Sequence, residues 1–182
     1  MTEEQFNLAM ERIRKKDKNA LREIYEEYSS FIYHTILNIV KQKEAAEDIT
    51  SEFFIKLWEK ASAYKPGGGH KGYLATIARN MAIDYVRKYN KEVYIETDGE
   101  EETDEMSQIV DTEPLPEEQT VEKLSVDKAL SRLKPIYRQI VTMKALGDMT
   151  FKEISEALGI PMGTVTWNYQ DAIKQLRRFG YE

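Results

Sequence analysis

Between Tyr64 and Lys88 the chain sets a basic, aromatic-flanked loop directly before a helix with a row of hydrogen-bonding side chains. Pro66 and Gly67-Gly68-Gly69 would each penalise a helix interior heavily, so this part is a loop. Beyond it, Leu74, Ile77, Ala78, Met81 and Tyr85 recur at helical spacing and make one apolar face. Asn80, Asp84, Arg87 and Lys88 fall at i, i+4, i+7 and i+8 and make a polar stripe on another. Lys65, Lys71, Arg87 and Lys88 would neutralise phosphates. The chemistry such a set performs is binding, not bond-making: prising open and holding a nucleic-acid strand. The same residues also fit an ordinary surface helix that follows a loop.

A second constellation lies near the C-terminus. Thr150 with Glu153 three residues later is a capping box, Ile154, Ala157 and Leu158 face inward, and Gly159 ends the helix. After the turn Gly159-Ile160-Pro161-Met162-Gly163, Thr164 leads a helix that buries Val165, Tyr169, Ala172, Ile173 and Leu176. This is the grammar of a helix-turn-helix, whose second helix enters the DNA major groove with its N-terminal half against base edges. There Asn168 and Gln170 have amides suited to adenine edges, and Thr166 suits a base or a phosphate. Trp167 would pack either on the domain body or on a thymine methyl. Positive charge is sparse until Lys174, Arg177 and Arg178, which predicts weak DNA binding by this unit alone.

The elements that must position these sets are helices. Glu3 to Lys16, Asn19 to Lys41 (Asn19 as N-cap) and Glu44 to Ala61 have the 3.6-residue period, with Ile49, Phe53 and Leu57 forming one line on the third. On that third helix Trp58 reads as closing the core, and Asp48, Glu52 and Glu59 point elsewhere. Val121 to Leu133 and Pro135 to Leu146 precede the helix-turn-helix, Pro135 sitting at an early helical position where proline is tolerated. The expected fold class is all-α: two small helical domains, 1–90 and 123–182, joined by a flexible acidic linker over 91–122. That linker holds one Lys against 13 Asp and Glu, a balance that prevents independent folding.

Charge distribution qualifies the overall value of −6. Residues 1–90 carry 15 Lys and Arg against 13 Asp and Glu, and residues 123–182 carry 10 against 6, so both ends are mildly basic. The chain has no cysteine, which excludes disulfides and thiolate metal sites, and with only two histidines no metal site is expected. The start lacks a signal-peptide pattern and no apolar run spans a bilayer, so a cytoplasmic protein without membrane insertion is expected. No Walker-type phosphate loop, His-Glu-x-x-His or Ser/His/Asp set is present, so neither an enzyme nor a cofactor is expected.

Ile77-Ala78-Arg79-Asn80 followed by Asp84, Arg87 and Lys88 resembles the signature of bacterial sigma factors of the extracytoplasmic-function group. The resemblance implies that this domain binds and melts the −10 promoter element through Lys65, His70, Lys71, Tyr73, Arg79, Asn80, Asp84, Arg87 and Lys88. His70 stands where the group often has an aromatic residue, and is expected as a loop residue near DNA. Ala46-Glu47-Asp48-Ile49, Glu52-Phe53-Phe54 and Leu57-Trp58 are similar to the segment that docks on the β′ coiled coil of RNA polymerase. That similarity implies polymerase contacts at Asp48, Glu52, Phe53 and Trp58, with Ser51 where the group commonly has Gln.

The stretch from Leu133 to Val165 is similar to the sigma domain that reads the −35 element, which implies DNA contacts at Arg138, Thr164, Thr166, Trp167, Asn168, Gln170, Lys174 and Arg177. Thr166, Trp167, Asn168 and Asp171 depart from the group's basic pattern. The implied partners are core RNA polymerase (β′ coiled coil and β flap), promoter DNA and an anti-sigma factor. The implied linker path runs near the polymerase active centre. The competing reading is a stand-alone helix-turn-helix regulator, which would bind duplex DNA tightly without polymerase.

Overall fold

The computed structural model describes residues 1–96 and 128–180, with side chains from 1–89 and 128–180; the expected linker beyond residue 96 and most of the helix expected from Val121 lie outside the described residues. The described elements are α1 (Glu3–Arg14), α2 (Lys18–Val40), α3 (Lys43–Glu59), a short 3-10 turn (Ala61–Ala63), α4 (His70–Glu96), α5 (Pro135–Ala145), α6 (Phe151–Leu158) and α7 (Met162–Arg178). Residues 128–131 form one further helical turn, and no strand occurs among the described residues. None of the helices is long and apolar enough to cross a membrane.

Local signals set most of the helix ends. Thr2 caps α1 in a capping box with Gln5. Asp17, not Asn19, caps α2, its carboxylate accepting from the Asn19 amide. Thr150 and Glu153 make the expected box at α6, and Gly159 closes it in the left-handed region at φ 67°. Pro135 is in the first turn of α5. Two starts are earlier than expected: α4 begins at His70, right after Gly69, and α7 at Met162. Helix α4 also runs on to Glu96, past Lys91 where the linker was expected to start.

Helices α1–α4 bury Phe6, Met10, Ile13, Ile24, Phe31, Ile32, Ile36, Phe53 and Leu74 almost completely. The same apolar cluster continues without a break into Ile140, Met143, Met149, Ile154 and Val165 of the C-terminal helices. A smaller cluster of Leu130, Leu133, Tyr137, Val141 and Ala172 holds the C-terminal unit together. The two helical units therefore pack on one another, α2 against α5 and α4 against α6.

Polar pins fix the register of that packing. Asn38 Nδ2 donates to Thr142 Oγ1 at 2.8 Å with both side chains buried. Arg79 donates through Nη1 to the Ala157 carbonyl at 2.8 Å and through Nε to Gln139 Oε1 at 3.1 Å. Lys71 Nζ reaches the Asp148 carbonyl at 2.7 Å and its carboxylate at 3.1 Å.

Candidate nucleic-acid and polymerase interface

On α7 the helical period sorts the candidate residues cleanly. Thr164, Trp167, Gln170, Lys174 and Arg177 are all exposed, and their spacing of three and four residues makes one outward stripe. Trp167 is 62% exposed, which decides between the two positions open to it: the indole points away from the domain body. Thr166 is half-buried and returns its hydroxyl to the Met162 carbonyl at 3.0 Å, so its donor is committed to the helix backbone. Asn168 corrects the expectation of a base-reading amide. It is 8% exposed, three residues after fully buried Val165 and four before fully buried Ala172, and so belongs to the inner face.

Asp171, one of the departures from the basic pattern, has a structural role. Its carboxylate accepts from Tyr137 Oη at 2.9 Å and from Gln175 Nε2 at 2.9 Å, tying α7 to α5. An arginine there would lose both bonds. Arg138 lies half-buried on α5, away from the exposed α7 stripe in sequence and in its degree of burial.

The candidate strand-binding set divides into four groups. Lys65, Asn80, Asp84, Arg87 and Lys88 are exposed, the last four in the expected stripe. Lys71 and Arg79 are engaged by the C-terminal unit through the bonds given above. Burial pulls the Arg79 guanidinium below its ordinary value, a cost offset by its two hydrogen bonds. Tyr73 is half-buried, its ring 4.9 Å from that of Tyr64. A groove of about 450 Å³ runs between the glycine loop with the start of α4 and helix α6, with Glu153 and Glu156 among its lining residues. Gly67 and Gly69 take φ of 99° and 78°, a left-handed backbone that suits glycine.

His70 is the second correction. It is 5% exposed and sits inside the protein, its ring stacked on Phe6 at 4.9 Å and its Nε2 2.7 Å from Tyr28 Oη. The expectation of a loop residue near DNA fails because α1 and α2 supply a cage that no local pattern reveals.

Burial chiefly, and then Lys71, lowers the His70 value from its ordinary 6.5, while Glu3 and Glu153 oppose the shift. A folded value below the unfolded one means the unfolded chain binds the proton more readily. The cage thus contributes fully above about pH 6.5 and its contribution is lost as pH falls through the folded value. Urea midpoints should accordingly fall between pH 7.5 and 5.5, and less steeply in His70→Gln. Equal slopes in the two proteins would refute this account.

On α3, Asp48 and Glu52 are exposed on one face, and Glu52 pairs with Lys56 at 3.2 Å. Phe53 is the third correction. It is 0% exposed, since it continues the inward line of Ile49 and Leu57, and cannot contact a partner directly. Trp58 is half-buried, with Lys16 Nζ 5.2 Å from its ring. Two exposed apolar side chains escape the sequence pattern: Ile55 on α3, 56% exposed, and Tyr25 on α2, 50% exposed with its ring 4.9 Å from Phe54. The signal for Ile55 was its position seven residues after Asp48 and three after Glu52.

Two family profiles match the chain: Sigma-70 region 2 over residues 24–92 and Sigma-70 region 4 over residues 123–176. The ECF RNA polymerase sigma factor SigW of Bacillus subtilis (strain 168) is 29% identical over 174 residues, 93% of each chain. The ECF RNA polymerase sigma factor SigM of the same organism is 32% identical over 140 residues, 76% of this chain and 81% of that protein. Among solved structures, the sigma factor RpoE in complex with the anti-sigma factor NepR from Bartonella quintana is similar with a TM-score of 0.66 and 18% identity. That match covers 89% of this chain and 96% of the other. CnrH in complex with the cytosolic domain of CnrY gives a TM-score of 0.63 at 13% identity, covering 96% of both chains. At these identities the two structures speak to the fold alone.

Proposed function

The chain belongs to the extracytoplasmic-function RNA polymerase sigma factors, and from that premise we propose how its surfaces divide the work of transcription initiation. The α3 face of Asp48, Glu52 and Ile55 docks on the β′ coiled coil of core polymerase. The α7 stripe of Thr164, Trp167, Gln170, Lys174 and Arg177 reads the −35 element, and the C-terminal unit meets the β flap. Lys65, Tyr73 and the α4 stripe capture the non-template strand at −10, where stacking offsets the cost of unpairing. The observation that carries this reading is that three separate faces, acidic on α3 and hydrogen-bonding on α4 and α7, are all turned outward in one chain.

The packed arrangement is the resting one. Arg79 and Lys71 cannot meet phosphates while they hold Ala157 and Asp148, and Glu153 and Glu156 repel a strand from the groove. Engagement with polymerase separates the two units and releases both cations. An anti-sigma protein, of the kind named with the two structural neighbours, is a further proposed partner acting on the same equilibrium. The sparse positive charge of α7 favours this reading over a stand-alone regulator, which would need phosphate contacts of its own.

The test is transcription in vitro with core polymerase, with and without the protein, on fragments selected from a library randomised at −10 and −35. Specific transcripts that depend on the protein are expected. Tight duplex binding without any effect on polymerase would instead establish the regulator. Trp167→Ala should then weaken selected promoters roughly tenfold or more, as expected where losing recognition of one base pair in a specific site costs about 1–3 kcal/mol. Replacing −35 thymines by deoxyuridine should reproduce much of the loss in the wild type and little in the variant. An equal response in both would show that the indole touches no methyl group.

A further inference from the structure

Helix α1 lies outside both family matches, which cover residues 24–92 and 123–176, yet it touches both ends of the glycine loop. At the entry, Arg14 donates through Nε to the Ala61 carbonyl at 3.1 Å and through Nη2 to the Tyr64 carbonyl at 2.5 Å. Tyr64 in turn donates its hydroxyl to Asn7 Oδ1 at 2.6 Å, and its ring meets the edge of Phe6 at 5.4 Å. At the exit, the Gly69 amide donates to Glu3 Oε1 at 3.3 Å, and His70 stacks on Phe6. Between these two clamps Lys65, Pro66, Gly67 and Gly68 are exposed. One short helix thus fixes where a three-glycine loop starts and where it stops.

We propose that α1 is a positioning element for strand capture, with Arg14 and Asn7 holding the loop entry and Glu3 and Phe6 holding the exit. The physical reason is entropic. Three consecutive glycines sample far more backbone states than other residues, and ordering them against a strand costs affinity unless the ends are already held. Holding both ends leaves only the exposed tip to adapt. Arg14 and Asn7 suit the task because neither is needed to seat α1, which anchors itself through buried Phe6, Ala9, Met10 and Ile13. These residues act through the loop and touch no nucleic acid.

This inference rests on the sigma-factor reading, and its test separates the two. Holoenzyme is assembled from core polymerase with wild type, Arg14→Met plus Asn7→Ala, or Arg14→Lys, on a promoter fragment selected with the wild type. Polymerase affinity, the −35 footprint and permanganate reactivity of −10 thymines are measured, together with amide exchange at 67–69 in the free protein. The double variant should lower thymine reactivity about tenfold or more, with polymerase affinity and the −35 footprint unchanged and loop exchange faster. Arg14→Lys, which keeps a donor, should recover part of the opening.

Wild-type opening in the double variant would overturn the proposal. So would a parallel loss of opening and polymerase affinity, which would mark α1 as a purely structural prop. If wild-type holoenzyme opened no selected promoter, the sigma reading would fall, while unchanged loop exchange would separately refute the clamp.

Discussion

Asp48→Arg combined with Glu52→Arg is expected to abolish promoter-specific transcription while leaving the fold intact. Both side chains are exposed on α3. Among the described residues the pairing lost is the Glu52–Lys56 contact at 3.2 Å between exposed groups one helical turn apart. Such a pair contributes about 0.3–0.5 kcal/mol, and the like-charge pair that replaces it costs a similar amount. Thermal unfolding should therefore move by a few degrees at most.

At the interface the arithmetic differs. Opposite charges brought together across a desolvating contact couple by roughly 1.5–7 kcal/mol, and like charges in register cost several more. Two reversals should lower polymerase affinity by about 100-fold or beyond. Ile55, adjacent and exposed, would supply the apolar centre that such charged rims surround. Fluorescence titration of core polymerase checks the affinity, and run-off transcription checks the consequence. Full activity in the double variant would move the docking surface elsewhere, with the face around exposed Leu8 on α1 the next to examine.

The helices were legible in the sequence because their signals are local. The box of Thr150 with Glu153, the left-handed Gly159 and the early-turn Pro135 each act within a few residues, and each stands where it was expected. Sigma-type organisation was legible through the order of three motifs. Burial that depends on distant elements was not. His70 sits among glycines with no periodicity, and its cage comes from Phe6 and Tyr28, 64 and 42 positions away. The misplacement of Asn168 was avoidable, since it shares the helical face of Val165 and Ala172, both assigned inward from the sequence itself. Phe53 likewise lies on the inward line of Ile49 and Leu57, and only the motif around it points to a docking role. The packing between the two helical units had no sequence signature. Phe31 and Met143 each satisfy an ordinary amphipathic pattern, and nothing local distinguishes a core within one unit from a core shared by two.

That shared core is the basis of the second large effect. Gly147, after α5, packs so closely that a Cβ would stand 2.7 Å from Phe31 Cε2, 2.9 Å from Phe31 Cζ and 2.7 Å from the Met143 carbonyl. Phe31 is 1% exposed and cannot swing into solvent, so any larger residue at 147 acts as a wedge between α2 and α5. Gly147→Leu should cost about 1–3 kcal/mol by overpacking. Parting the units relieves that strain but exposes the shared core of Ile140, Met143, Met149, Ile154 and Val165, so the substitution shifts the balance toward the parted arrangement by at most the strain it introduces.

The expected readouts are a larger radius of gyration in small-angle scattering and a gain in binding of single-stranded −10 oligonucleotide by the free protein. That gain follows because Arg79 and Lys71 are released from Ala157 and Asp148. Arg79→Met in the same background separates the two contributions: it should keep the expansion and remove most of the gain. An expanded Gly147→Leu protein with no gain in strand binding would mean that packing and strand capture are independent. An unexpanded protein would mean that α5 absorbs the extra volume locally, and the resting state would then owe nothing to this close contact.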